Sequence, residues 1–154
     1  MVFETGPYVK VALFCEKILR EVDGVMSIIR VIDRVTITAQ GQNAPATMPK
    51  TPYTLTAVIS LVPGASRGRH ELKIVKEDPS GLDTGPDFST SVNMEGEDRA
   101  VNIVANMHFM LELEGLYLFK VSLDGMLITK MPFRVIYARI STSTVRPMLP
   151  PEET

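Results

Sequence analysis

Cys15, His70 and His108 are the residues best suited to nucleophilic chemistry, since the sequence holds one cysteine and two histidines. An imidazole beside a thiol favours the thiolate, which is the attacking species. Cys15 paired with either histidine would therefore make a small thiol-dependent enzyme. Cys15 lies among Leu13, Phe14 and Ile18, however, and free cysteine is among the most buried residue types. A core thiol, slow to react, is the expectation, and no catalytic residue is assigned.

Metal chemistry is equally thin. Neither histidine has a Cys or His neighbour at a zinc-ligand spacing. Glu77-Asp78-Pro79-Ser80-Gly81-Leu82-Asp83, with Asp87 beyond it, gathers carboxylates in one loop, and calcium takes roughly six to eight oxygens from such loops. The Asp-x-Asp-x-Asp-Gly order and the closing bidentate glutamate are missing. Plain turn chemistry is the simpler reading, and neither metal nor cofactor is assigned.

Gly64-Ala65-Ser66-Arg67-Gly68-Arg69 has the glycines and cations of a phosphate cradle. It lacks the Gly-Lys-Ser/Thr ending and the following helix, so a solvated hairpin tip is expected. No Gly-x-Ser-x-Gly elbow occurs. Aromatics are 6% of residues and Trp is absent, which argues against a stacking surface for sugars or single strands. Of the nine methionines, Met107, Met110, Met126 and Met131 are expected to fill gaps in the core.

The elements that position these residues read as strands. Tyr117, Phe119, Val121 and Leu123 alternate along one face, and Asp124-Gly125 suits a two-residue turn. Leu116–Leu123 should therefore pair antiparallel with Met126–Tyr137. Pro132 belongs at an edge or a bulge, because it has no N–H to give a ladder. Tyr53–Val62 and His70–Lys76 read as a second hairpin around Pro63–Gly68. Arg99–Leu113 has apolar residues at seven successive odd positions from Val101, a strand period that predicts no helix across Arg99–Tyr137.

Val9–Glu21 fits two patterns. Val11, Phe14, Cys15, Ile18, Leu19 and Val22 have helical spacing, with Glu16/Arg20 and Lys17/Glu21 as i,i+4 pairs. A hairpin closed at Asp23-Gly24 also accounts for Val25–Thr38, where Val25, Ile29, Val31, Val35 and Ile37 share a strand face, and the hairpin is preferred. Gln40–Pro52 and Asp78–Asp87 are Pro- or Gly-containing connections. About eight strands with two long crossovers predict an all-β, two-sheet antiparallel Greek-key sandwich of immunoglobulin-like architecture. Residues 1–140 would form one such domain, and the proline-containing 141–154 a mobile tail.

Ala12-Leu13-Phe14-Cys15-Glu16-Lys17-Ile18-Leu19-Arg20-Glu21, then Asp23-Gly24-Val25, Ser27-Ile28-Ile29-Arg30 and Asp33-Arg34, resembles the opening of a family of uncharacterised bacterial proteins. The similarity extends to Gly115-Leu116-Tyr117, Val121 and Asp124-Gly125. The resemblance implies a bacterial β-sandwich without an assigned activity and favours a strand for Val9–Glu21. It brings no catalytic residues.

Sixteen Lys and Arg against 18 Asp and Glu give a formal charge of −2, which provides no footprint for nucleic acid or an anionic membrane. A single cysteine forms no intrachain disulfide and favours a reducing, cytoplasmic setting. A non-catalytic binding or assembly module acting through strand edges or loops is the leading expectation. The thiol enzyme and a small-ligand sensor domain are the alternatives. Tyr53–Val62 carries no charge across ten residues, so it belongs either at the centre of a sheet or in an edge-to-edge homodimer, and a homodimer is expected.

Overall fold

Alternating apolar residues and turn-forming dipeptides dictate strands throughout residues 5–141, the part of the chain that the computed structural model describes, with side chains for all of these but 85–87. The nine strands are β1 (Tyr8–Arg20), β2 (Met26–Ile32), β3 (Arg34–Gln40), β4 (Thr51–Val62), β5 (Gly68–Glu77), β6 (Asp83–Met94), β7 (Val101–Leu111), β8 (Gly115–Leu123) and β9 (Met126–Ile140). No helix occurs among the described residues. Four strands form one sheet in the order β2-β1-β4-β7, and five form the other in the order β3-β9-β8-β5-β6. The residues 142–154 read as a tail lie outside the described residues.

Between the sheets, aromatic rings meet from both sides. Phe14 of β1 stands edge-on to Phe119 of β8, 4.9 Å between centroids, and to Phe133 of β9 at 5.7 Å. Tyr53 of β4 packs on Phe133, and Phe109 of β7 on Phe119. Each such ring pair adds about 0.5–1.5 kcal/mol beyond the area it buries. Leu55, Ile59 and Leu61 of β4 and Leu72 and Ile74 of β5 extend this core.

β1 and β2 form the expected hairpin: Phe14 lies opposite Ile32 and Arg20 opposite Met26. Gly24, at φ +83°, donates to the Glu21 carbonyl across the turn. The run Val25–Thr38 is not one strand, however. Asp33 interrupts it, and the chain passes from the first sheet to the second without reversing, so β3 runs parallel to β9 from Arg34–Arg134 to Gln40–Ile140. The sandwich is therefore not wholly antiparallel. Val31 is 62% exposed, whereas Val35 and Ile37 pack on the core. These residues do not share one face, because a change of sheet separates them.

β8 and β9 pair as expected through Asp124 and Gly125, both at positive φ. Pro132 lies opposite Leu118, two residues before β3 begins to pair at Arg134. Its missing N–H therefore meets an edge locally. Tyr53–Val62 and His70–Lys76 are not a hairpin, because β4 pairs with β1 and β7 while β5 pairs with β6 and β8. The Pro63–Gly68 turn carries the chain between sheets. Strand β6 also begins within the stretch read as a loop.

Tyr117, at the start of β8, is 2% exposed. A buried phenol needs a partner. Its hydroxyl donates to the Leu113 carbonyl at 2.8 Å and accepts from the Leu113 N–H at 3.2 Å. That bond ties β8 to the turn leaving β7. Met107 and Met131 are buried as expected, whereas Met110 and Met126 are 44% and 74% exposed. Met110 lies on the outward parity of β7, and Met126 beside the exposed Asp124-Gly125 turn.

Candidate functional site

Cys15 and the histidines do not converge. Phe14 points between the sheets, so alternation turns Cys15 to the outer face of its sheet, with Val31 and Thr56 as ladder neighbours. The thiol has no exposed surface, and burial pushes its pKa up. His108 lies on β7, with β4 between it and β1, which separates the chains by about 10 Å. Its Nδ1 is 2.9 Å from the Thr54 hydroxyl.

His70 has two acceptors. Its Nδ1 lies 2.5 Å from Asp124 Oδ2, and its Nε2 lies 3.1 Å from the Arg67 carbonyl. Only the imidazolium can donate to both. The Asp124 carboxylate raises the His70 pKa, and the Arg67 carbonyl adds to the shift. Asp124 in turn accepts from the Glu71 N–H at 2.9 Å, and this bond together with His70 lowers its pKa. With both nitrogens engaged, the pair is a clasp between the β8–β9 turn and β5. It is not poised as a base.

The carboxylates of the Glu77–Asp87 loop are spent locally. Asp78 Oδ1 accepts from the Ser80 N–H, the Ser80 hydroxyl and the Leu82 N–H. Glu77 and Asp83 both approach the Lys120 ammonium, at 3.6 and 2.6 Å. The Asp87 side chain lies outside the described residues. Among the described residues no three His, Cys, Asp or Glu side chains come together as a metal site. Arg67 donates to the Glu95 carbonyl and Arg69 to the Ser91 hydroxyl, so the glycine-arginine turn keeps its cations for the protein itself.

Strand edges remain. β4 is flanked on both sides, so Tyr53–Val62 takes the central place and not the edge of the expected homodimer. Among the described residues the open edges belong to β2 and β7 in one sheet and to β3 and β6 in the other. β2 is seven residues long and holds Arg30 at φ +53°. β3 is equally short and starts on a charge, Arg34. β6 carries Asp83, Pro86 and Asp87 and pairs with register shifts.

β7 has none of these devices. Its eleven residues carry no Asp, Glu, Lys, Arg or Pro. They pair with β4 in unbroken register from Thr51–Leu111 to Leu61–Val101. Among the described residues no strand lies on its other side. Ile103, Ala105, Met107 and Leu111 fill the core, and Asn102, Asn106, His108 and Met110 are exposed. The sequence carried the same signal here as in Tyr53–Val62, an uncharged run, but alternation alone does not distinguish an edge strand from a central one.

A family model matches residues 10–136, and its description is a family of unknown function, DUF6941. The chain belongs to this family. The match spans β1 to most of β9, so the DUF6941 segment is the sandwich just described. No curated protein matches the sequence. Among solved structures, the chain is similar to Pseudomonas fluorescens alkylpurine DNA glycosylase AlkC, a structure with DNA containing an abasic site analog. That similarity has a TM-score of 0.51 and 8% identity, and it covers 84% of this chain but 30% of the other. At that identity it reports the fold alone. No helix among the described residues is long and apolar enough to cross a membrane.

Proposed function

We propose that this chain is a non-catalytic binding or assembly module that works by strand addition at β7, with a second copy as its simplest strand donor. The open edge of β7 carries the reading: it offers a row of unpaired backbone groups without the charges, proline or bulges that usually blunt such edges. Two copies laid antiparallel about a two-fold axis would place no like charges opposite each other. Their four-stranded sheets would become one continuous sheet.

The finer architecture reads as Greek-key and immunoglobulin-like. A buried tyrosine at the start of a strand, bonded back to the backbone four residues upstream, matches the tyrosine corner of such sandwiches. The single buried cysteine fits a reducing cytoplasm, and the bacterial setting follows from the resemblance of the opening residues.

Sedimentation velocity across the micromolar range tests the reading, with the wild type beside an Asn102→Lys/Asn106→Lys double variant. The expected result is a dimer that reverts to monomer in the variant, since four lysines would crowd one face of the joint ladder. A wild-type monomer at every concentration would remove the second copy as donor.

A further inference from the structure

Lys76 lies on the inward row of β5, continuing Leu72 and Ile74, and is opposite Phe119 in the ladder. The residue is 7% exposed, and its ammonium lies 4.8 Å from the centroid of the Phe109 ring. Among the described residues its ammonium forms no ion pair within 4.0 Å and no hydrogen bond, although its charge reaches Asp78 through space. A buried ammonium with three donors and only a ring for company is costly to hold. It lines a cavity of about 190 Å³ at the end of the sandwich, together with Asp78, Thr84, Met110, Glu112, Leu113 and Tyr117.

The two carboxylates of that lining hold partners of their own. Asp78 is folded onto its own turn, and Glu112 pairs with Lys50 at 3.3 Å. Among the described residues Lys76 is therefore the charge of that lining whose head has neither ion pair nor hydrogen bond, since Asp78 acts on it only through space, and the rest of the wall is the Thr84 hydroxyl, a tyrosine ring and apolar stems. The geometry points to a binding site for a small monocarboxylate, its oxygens on the Lys76 ammonium and a short apolar tail against Met110, Leu113 and Tyr117. The volume equals about six waters at ~30 Å³ each, enough for an acid of three or four carbons. The carboxylate can belong to a free acid or to the C-terminus of a peptide.

Titrating the full chain with butyrate, followed by amide and methyl NMR shifts, tests this site. Butylamine and butanol serve as isosteric controls. A short peptide ending in a free carboxylate, and the same peptide amidated, distinguish the two sources. Butyrate or the free-acid peptide should give saturable shifts confined to the neighbourhood of Lys76, Thr84, Met110 and Leu113, with Kd on the order of 1 mM. Lys76→Met keeps the stem and removes a buried charge, so it should melt no lower than wild type and bind at least ten-fold more weakly. Absence of saturation by both acids overturns the site, as does equal binding of butylamine or butanol, or undiminished binding by the folded Lys76→Met variant.

Discussion

At the scale of single residues, function rests on which polar groups are spent and which are not. Cys15 is spent on packing: with no exposed surface, it should resist an aromatic disulfide reagent in the native state and react fully once denaturant is added. Rapid stoichiometric labelling without unfolding would return the thiol enzyme to consideration. Tyr117 is spent on the Leu113 backbone. Tyr117→Phe should lower stability by about 0.5–1.5 kcal/mol, because it removes the part-buried hydrogen bonds to the Leu113 backbone. A lower urea midpoint at unchanged slope would show it. The buried cysteine was legible from its neighbours. The tyrosine's role was not, because Leu113-Glu114-Gly115-Leu116-Tyr117 reads as a turn until the hydroxyl is seen to point backwards. Lys76 left a fainter signal, a charge on the parity of Leu72 and Ile74.

Elements were legible where pattern and turn agreed, as in Leu116–Tyr137. They were not where the chain changed sheets, since alternation at Tyr53–Val62 and His70–Lys76 is the same whether two strands pair or face each other. The β5 end is fixed instead by the His70–Asp124 clasp, which makes its stability depend on pH. The His70 pKa is raised from 6.5, so its contribution is complete below pH 6.5 and is lost as pH climbs through the folded value. The Asp124 pKa is lowered from 3.8, so its contribution is complete above pH 3.8 and is lost as pH falls through its folded value. The clasp is therefore strongest between those limits. The urea-midpoint gap between wild type and His70→Gln should be widest near pH 5 to 6 and narrow towards pH 9. A gap that is flat or widens above pH 7 would mean that the imidazolium is not what holds the turn.

For the whole molecule, the outcome turns on which strands were left at the rims. Sequence alone placed two uncharged runs, Tyr53–Val62 and Val101–Leu111, and either could have been interior. Long-range pairing made β4 the inner strand, between β1 and β7, and left β7 with one neighbour among the described residues. A strand with neighbours on both sides has every amide in a ladder, whereas an edge strand has alternate amides facing outward. Native-state hydrogen exchange resolves that difference, because protection follows the local opening free energy. In dilute protein, β4 amides should be the slowest to exchange, and β7 should alternate between slow and fast residues. Raising the concentration into the micromolar range should slow the fast set of β7 while leaving the edges of β2, β3 and β6 unchanged. If β7 is already uniformly slow at the lowest concentration measured and unaffected by dilution, its edge is covered within the chain, and strand addition must be abandoned.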